Sequence, residues 1–315
     1  MEKVLIVKLG AMGDVIRTTP LLHILNGDVF WVTSEECLPL LPPERITSIV
    51  EAKKAKSILQ KVTFDLVLSL DDDCHAAAIA TALKKQTLIG SYLNGDGMPA
   101  YTDSSAEWFD KGLISRFGKN KADILKMKNT KTYQEIIFEM LGRKFSGEDY
   151  ILNSNGIAAS YNKSDELLVG IERNAGSRWP MKRWNKYDEL AQLLISKGFN
   201  TTFFQQKKHI AQYIQDINDC DIIVCGDTLA MHVALALKKK VVAIFICTSP
   251  TEIYGYGRMT KVVSPLLEQF FYKTNYVHEA VDSISVEQVY RAVEKISRTL
   301  NENTICHKCL PVARS

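Results

Sequence analysis

The stretch that most constrains the fold is residues 8–20, Lys-Leu-Gly-Ala-Met-Gly-Asp-Val-Ile-Arg-Thr-Thr-Pro. It follows an unbroken apolar run at residues 4–7, too short for a helix and rich in β-branched side chains, which reads as a parallel strand buried on both faces. Gly10 and Gly13 permit a tight turn, and apolar residues then recur at helical spacing from Val15 to Leu25. The segment is therefore strand, glycine loop, helix. Asp14 falls where that helix begins, and a carboxylate there accepts free backbone N–H groups and faces the positive end of the helix dipole. In an open α/β sheet the same loop lies at the carboxyl end of a strand, where ligands bind. Asp14 is thus either a helix cap or a catalytic base or ligand contact on a rigid turn, and the local sequence leaves both readings open.

The alternation continues along the chain. Residues 29–33, 46–50, 64–70 and 87–89 read as strands, 74–83 as an alanine-rich helix and 133–141 as a further helix. Residues 91–130 are glycine-rich and polar with little periodicity, so a lid or irregular excursion is expected there. A polar, punctuated stretch at 142–164 precedes a second series: strand 167–171, a helix with the apolar face Tyr187, Leu190, Ala191 and Leu194, strand 201–204, helix 209–217, strand 221–225, helix 229–237 and strand 241–246. Asn185 is the expected N-cap of the first helix in that series and Gly198 its stop. Ser285 and Gln288 form a capping box ahead of a closing amphipathic helix that carries Val286, Val289, Tyr290, Val293, Ile296 and Leu300. Strands alternating with helices imply parallel sheets covered on both faces, and 315 residues suit two such domains. The expected division is 1–155, 156–284, the helix 285–302 and a tail from 303 to 315.

Charge and composition narrow the function classes. The 39 basic and 36 acidic residues leave a net charge of +3, too even a balance to point to nucleic acid. Basic clusters at residues 119–131 and 238–240 read as solvated faces, the first also as a candidate contact with an anionic membrane surface. No apolar run approaches the ~18 to 20 residues needed to span a bilayer, and the N-terminus carries no signal-peptide pattern. The expected location is the cytoplasm, with at most a peripheral contact with the inner face of the membrane. The seven cysteines lie mostly in apolar stretches and read as reduced thiols. Cys306 and Cys309 have the spacing of half a metal site, but without a second pair the reading is a reduced tail.

Two loops of the second half follow strands and suit an anion. Residues 174–182 offer a glycine, the Ser177 hydroxyl and the cations Arg178 and Lys182, with Arg183 next in line, a set of donors for phosphate oxygens. The competing reading is a solvated loop in which Trp179 and Trp184 pack. In residues 226–232, Asp227 and Thr228 stand at the start of a helix, where backbone amides and the dipole can meet a diphosphate, with His232 a turn further in. Asp227 is locally also a cap, and His232 also a core histidine. The acidic run Asp71, Asp72 and Asp73 reads as a strand-end loop rather than a metal site.

Taken in order, Lys8-Leu-Gly-Ala-Met-Gly-Asp14 with Pro20, Gly176-Ser177 with Pro180-Met181-Lys182-Arg183-Trp184, Gly226-Asp227-Thr228 with His232, and Phe245 with Thr248-Ser249-Pro250 resemble the family 9 glycosyltransferases, the lipopolysaccharide heptosyltransferases. The resemblance covers most of residues 1–260. It implies an α/β protein of the GT-B arrangement, two Rossmann-like domains with parallel sheets facing a central cleft. It implies an acceptor held by the first domain and a nucleotide-sugar, typically ADP-heptose, held by the second as substrate, with inversion at the anomeric carbon and neither metal nor cofactor. Carried onto matching positions, Asp14 is the general base, Ser177 and Lys182 hold the phosphates of the leaving nucleotide, and Asp227, Thr228 and His232 hold sugar and diphosphate. Lys8, Gly13 and Arg17 fall on the acceptor side or support Asp14. The chain departs from the pattern at Leu229, where a glycine is usual, at Ile246-Cys247, where Gly-Pro is usual, and between Phe204 and Asp221, which is short. The expected function is transfer of a heptose or related sugar onto a glycan or lipopolysaccharide-type acceptor. The alternatives are another nucleotide-sugar such as a UDP-sugar, another acceptor, or a nucleotide-binding member of the fold without transfer.

Overall fold

The computed structural model describes residues 1–160 and 166–308. The chain divides into two compact units, one made of Met1–Ile157 with Ser249–Tyr256 and the other of Ala158–Thr248 with the chain from Gly257 onward.

The first unit is built on a sheet of order β3-β2-β1-β4-β5-β6, with β1 Lys3–Val7, β2 Asp28–Thr33, β3 Ser48–Glu51, β4 Thr63–Ser69, β5 Lys84–Leu93 and β6 Pro99–Tyr101. Five strands run parallel, and β6 returns antiparallel along β5. Its helices are α1 Met12–Thr18, α2 Ala55–Leu59, α3 Cys74–Ala82, α4 Ala106–Phe109, α5 Lys119–Met127 and α6 Tyr133–Glu139. Val4 to Val7 of the central strand are all buried, as a strand covered on both faces requires. On one face Leu5, Val7, Val32, Phe64 and Val67 pack with Ala76 and Ala80 of α3, whose small side chains let the helix lie close to the sheet.

Two expectations are corrected here. The helix read from Val15 to Leu25 ends at Thr18, and Thr19–His23 is a 3₁₀ turn. Pro20 has no N–H to give to the Ile16 carbonyl, and the Thr19 hydroxyl donates to that carbonyl instead, at 2.7 Å. Residues 91–130 are ordered rather than irregular. Strand β5 continues to Leu93, and the Asn94 side chain accepts from Asp96 and Met98 N–H at 3.0 and 2.9 Å to turn the chain into β6, after which α4 and α5 follow.

The second unit carries five parallel strands in the order β11-β10-β9-β7-β8: β7 Leu168–Glu172, β8 Asn200–Phe203, β9 Ile222–Gly226, β10 Lys240–Phe245 and β11 Met259–Val263. Its helices are α7 Tyr187–Ser196, α8 Ile210–Asn218, α9 Leu229–Ala236, α10 His278–Asp282 and α11 Val286–Lys308. Helix α9 is apolar all round apart from His232, and it buries Ala230, Met231, Val233, Ala234 and Leu235 along with that histidine. Strand β11 has no counterpart in the sequence reading, because Thr260 and Lys261 stand side by side in a half-exposed edge of only five residues and break any alternation. Asn185 does not cap α7: its amide donates to Asp282 at 2.8 Å, and the capping position falls to Lys186. The Ser285 capping box does form, with Gln288 N–H donating to Ser285 Oγ at 3.2 Å and Ser285 N–H to Gln288 Oε1 at 2.7 Å. Helix α11 runs to Lys308, beyond the point where a tail is expected to begin. The side chains of Cys306 and Cys309 lie outside the described residues. Among those residues no helix is long and apolar enough to cross a membrane.

Each sheet reverses its winding once, between β1 and β4 in the first unit and between β7 and β9 in the second. Ligand crevices of such sheets open at those points, outside the carboxyl ends of the strands. The loops that leave β1, β4, β7 and β9 therefore define the candidate sites.

Candidate functional site

In the first unit Lys8 leaves β1 and its ammonium donates to the Asp71 carboxylate beyond β4, while the other Asp71 oxygen accepts Leu9 N–H. Lys8 and Asp71 are both buried. Burial alone would push the Lys8 ammonium down, but the charges of Asp71 and Asp14 outweigh it and hold the group above its ordinary range. The pair fastens the two loops at the winding reversal, so Asp71 is a tie between strand ends.

Gly13 and Asp14 occupy the first turn of α1. Asp14 Oδ2 accepts Ala11 N–H at 3.3 Å and Oδ1 lies 2.8 Å from Arg17, one turn on, while the side chain stays 35% exposed. It both closes the helix start and presents a carboxylate on a short, fixed turn. Arg17 is 11% exposed, lies over the Tyr133 ring at 4.2 Å and the Trp108 ring at 5.7 Å, and has Glu252 at 3.9 Å. Tyr133 in turn hydrogen-bonds Thr18 at 2.7 Å and donates its backbone N–H to Glu252 O at 3.0 Å. Burial raises the Tyr133 phenol, which stays protonated. Sequence reasoning does not single out Asp71, Trp108, Tyr133 or Glu252 as site residues. Tyr133 has a usable signal, the Thr132/Glu135 capping box that fixes the start of α6. Glu252 has none.

In the second unit Lys182 closes the 3₁₀ turn Pro180–Lys182 and places its ammonium 2.9 Å from Asp227, just before α9. Burial would raise the Asp227 carboxyl, but Lys182 and then His232, with the Thr248 side chain, hold it below the usual carboxylate range. Asp227 is therefore ionised and engaged with Lys182. Gly226 is required by a close approach: a Cβ there would stand 2.4 Å from the Lys182 carbonyl. Thr228 precedes the first turn of α9, and its Oγ1 is buried without a hydrogen-bond partner among the described residues. His232 is buried within the first turn of the same helix. Lys182, Asp227, Thr228 and His232 thus meet at the end of β9.

Ser177, Arg178 and Arg183 lie on exposed parts of the loop, with Arg178 over the Trp179 ring at 5.3 Å. Trp184 belongs to the core, its ring N–H donating to Ile284 O at 3.2 Å. A further residue escapes sequence reasoning. Glu172 is buried at the end of β7 and accepts Asn174 N–H at 2.8 Å and the Tyr213 hydroxyl at 2.5 Å, which fixes where the loop departs.

Residues 206–275 match the model of glycosyltransferase family 9 (heptosyltransferase). Among solved structures, the glycosyl transferase family 9 protein of Veillonella parvula DSM 2008 is 18% identical with a TM-score of 0.63, covering 94% of this chain and 97% of its own. The Escherichia coli heptosyltransferase WaaC, solved with ADP, is 15% identical at a TM-score of 0.64, covering 93% of this chain and 99% of its own. The chain is family 9 glycosyltransferase-like. The iron-containing dodecameric glycosyltransferase TibC of enterotoxigenic E. coli H10407 is also similar, at 12% identity and a TM-score of 0.58, covering 95% of this chain and 77% of its own. No curated sequence matches. The family 9-like segment carries Asp227, Thr228 and His232, whereas Asp14 and Lys182 precede it. The chain's two Rossmann-like units have the fold of the heptosyltransferases to which it is similar, and segment and fold together support a glycosyltransferase.

Proposed function

We propose that the protein is an inverting glycosyltransferase that moves a heptose or related sugar from ADP-heptose onto a glycan or lipopolysaccharide-type acceptor. The observation that carries this reading is Asp14, a part-exposed carboxylate on the fixed first turn of α1, in the connection that leaves β1. Asp14 takes the proton of the acceptor hydroxyl as its oxygen attacks the anomeric carbon, and the bond from that carbon to the diphosphate oxygen breaks. Charge accumulates on the departing nucleotide, where Lys182, Ser177 and the start of α9 meet it. Asp227 repels a phosphate, so its part is to aim Lys182, while Thr228 Oγ1 and His232 serve sugar and diphosphate. Lys8, Gly13 and Arg17 shape the acceptor side around the base. Neither a metal nor a cofactor takes part in this scheme.

The test is calorimetric titration with ADP, UDP, GDP and ADP-heptose in the presence of EDTA, on the wild type and on Lys182→Ala. Selective ADP binding, weakened at least about tenfold by Lys182→Ala, is expected. Preference for UDP would replace the donor, and loss of ADP binding in EDTA would restore a metal to the scheme. No binding at all would overturn the donor site.

The cytoplasmic, membrane-peripheral location belongs to the same proposal. Lys121, Ile124, Met127 and Lys128 are exposed at helical spacing along α5, after exposed Leu113, Arg116 and Phe117, a mixture of cations and apolar tips that suits an anionic lipid surface. Sedimentation with phosphatidylglycerol vesicles, but not with phosphatidylcholine vesicles, is the expected outcome.

A further inference from the structure

We infer that Glu252 is a positioning residue that sets the basicity of Asp14 by sharing Arg17 with it. The inference rests on the reading of Asp14 as the base. A carboxylate paired with an undivided guanidinium is held well below its ordinary range and is a poor proton acceptor. Arg17 is divided: Asp14 lies at 2.8 Å and Glu252 at 3.9 Å, and Glu252 is 4% exposed. The guanidinium lies over the Tyr133 ring, and the Trp108 ring, packed edge-to-face on Tyr133, stands beside it, which fixes its direction. Glu252 is fixed as well, because its carbonyl accepts Tyr133 N–H at 3.0 Å and its carboxylate meets the Lys126 ammonium at 3.6 Å.

Other charged and titratable groups among the described residues face Asp14 or Glu252 as well. Lys8, beyond β1, is engaged with Asp71, and Asp14 attracts the one and repels the other, so the two act on Asp14 with opposite signs. Tyr133 of α6 is a neutral phenol. Lys111 and Lys126 face Glu252. Glu252 is therefore the group whose removal leaves the whole charge of Arg17 to Asp14. The segment that carries it, Ser249–Tyr256, enters the first unit directly after Thr248, which faces Asp227 in the second.

The Ala11 amide donates to Asp14 Oδ2, so its NMR shift reports the ionisation of that carboxylate without substrate. Titrating the deuterated, ¹⁵N-labelled full chain should give a midpoint about half a pH unit lower in Glu252→Gln than in the wild type, the size of one screened charge interaction. Glu252→Asp keeps the charge and should keep the wild-type midpoint, while Arg17→Gln should raise it. An unchanged midpoint in Glu252→Gln overturns the inference. An equal drop in Glu252→Asp also does, since packing and not charge would then be responsible. Release of ADP from ADP-heptose by Asp14→Asn separates the two claims: wild-type turnover there would remove Asp14 as base, whereas the Ala11 midpoint judges Glu252 on its own.

Discussion

Asp14 and Asp227 are built from similar local grammar, an aspartate directly after a glycine in the passage from a parallel strand to a helix, with a cation within 2.9 Å, although Gly13 already lies in the first turn of α1 whereas Gly226 ends β9. They differ in where the cation comes from. Arg17 stands on the same helix as Asp14, so the pair lies along the helix surface and Asp14 remains 35% exposed. Lys182 comes from a separate loop, so its pair with Asp227 bridges two elements and Asp227 is only 15% exposed. An ion pair within one helix leaves a carboxylate able to meet a ligand, whereas a pair between loops makes it part of the frame. The first unit also has such a frame, Lys8 with Asp71, but there the tie and the proposed base are separate residues. In the second unit the cation proposed to meet phosphate is itself part of the tie.

The largest effect that would break this contrast is on turnover. Asp14→Asn should lower kcat for ADP release by about 10²- to 10⁴-fold while ADP affinity stays at the wild-type value. Unimpaired turnover would make Asp14 a cap and nothing more. Next comes Lys182→Met, which strands an ionised Asp227 and should cost about 3 kcal/mol in urea unfolding, partly recovered by adding Asp227→Asn. A variant as stable as the wild type would mean that Asp227 is not part of the frame. Gly226→Ala should cost about 1 to 3 kcal/mol in the same measurement, because the new Cβ must displace the Lys182 carbonyl. The smallest effect is in acid. The Asp227 carboxyl is held below its unfolded value of about 4, so its contribution is complete above that pH and lost as pH falls through the lowered folded value. Urea midpoints between pH 3 and 6 should fall less steeply in Asp227→Asn than in the wild type.

What could be read from the chain was what short-range rules govern. The run at residues 4–7 demanded a buried central strand, and Asp14, Lys182 and Asp227 stood out because turn, cap and charge coincide within a few residues. Apolar periodicity is blind to proline chemistry, however, and the helix after Asp14 stops once Pro20 withholds its N–H. Residues 91–130 escaped because β6 and α4 have three and four residues, fewer than any period needs to show itself. The pairing of Asp71 and the place of Glu252 escaped for a different reason. Their partners Lys8 and Arg17 are distant in the chain, and only the folded sheet brings them together. Gly226 looked like an ordinary glycine before a helix, and its need arises from a carbonyl in another loop.

The division of the chain has a consequence for modular exchange. The first unit is not one stretch of sequence, because Tyr254 packs on Phe145 at 5.0 Å, Tyr256 packs on Tyr150 at 5.2 Å, and Glu252 pairs with Arg17, all from a segment embedded between strands of the second unit. A recombinant that trades everything after residue 157 for another protein's second domain would also replace the aromatic plugs and the carboxylate on which the first depends. On the proposed reading, acceptor and donor specificity are therefore inherited jointly unless residues 249–256 travel with the first unit.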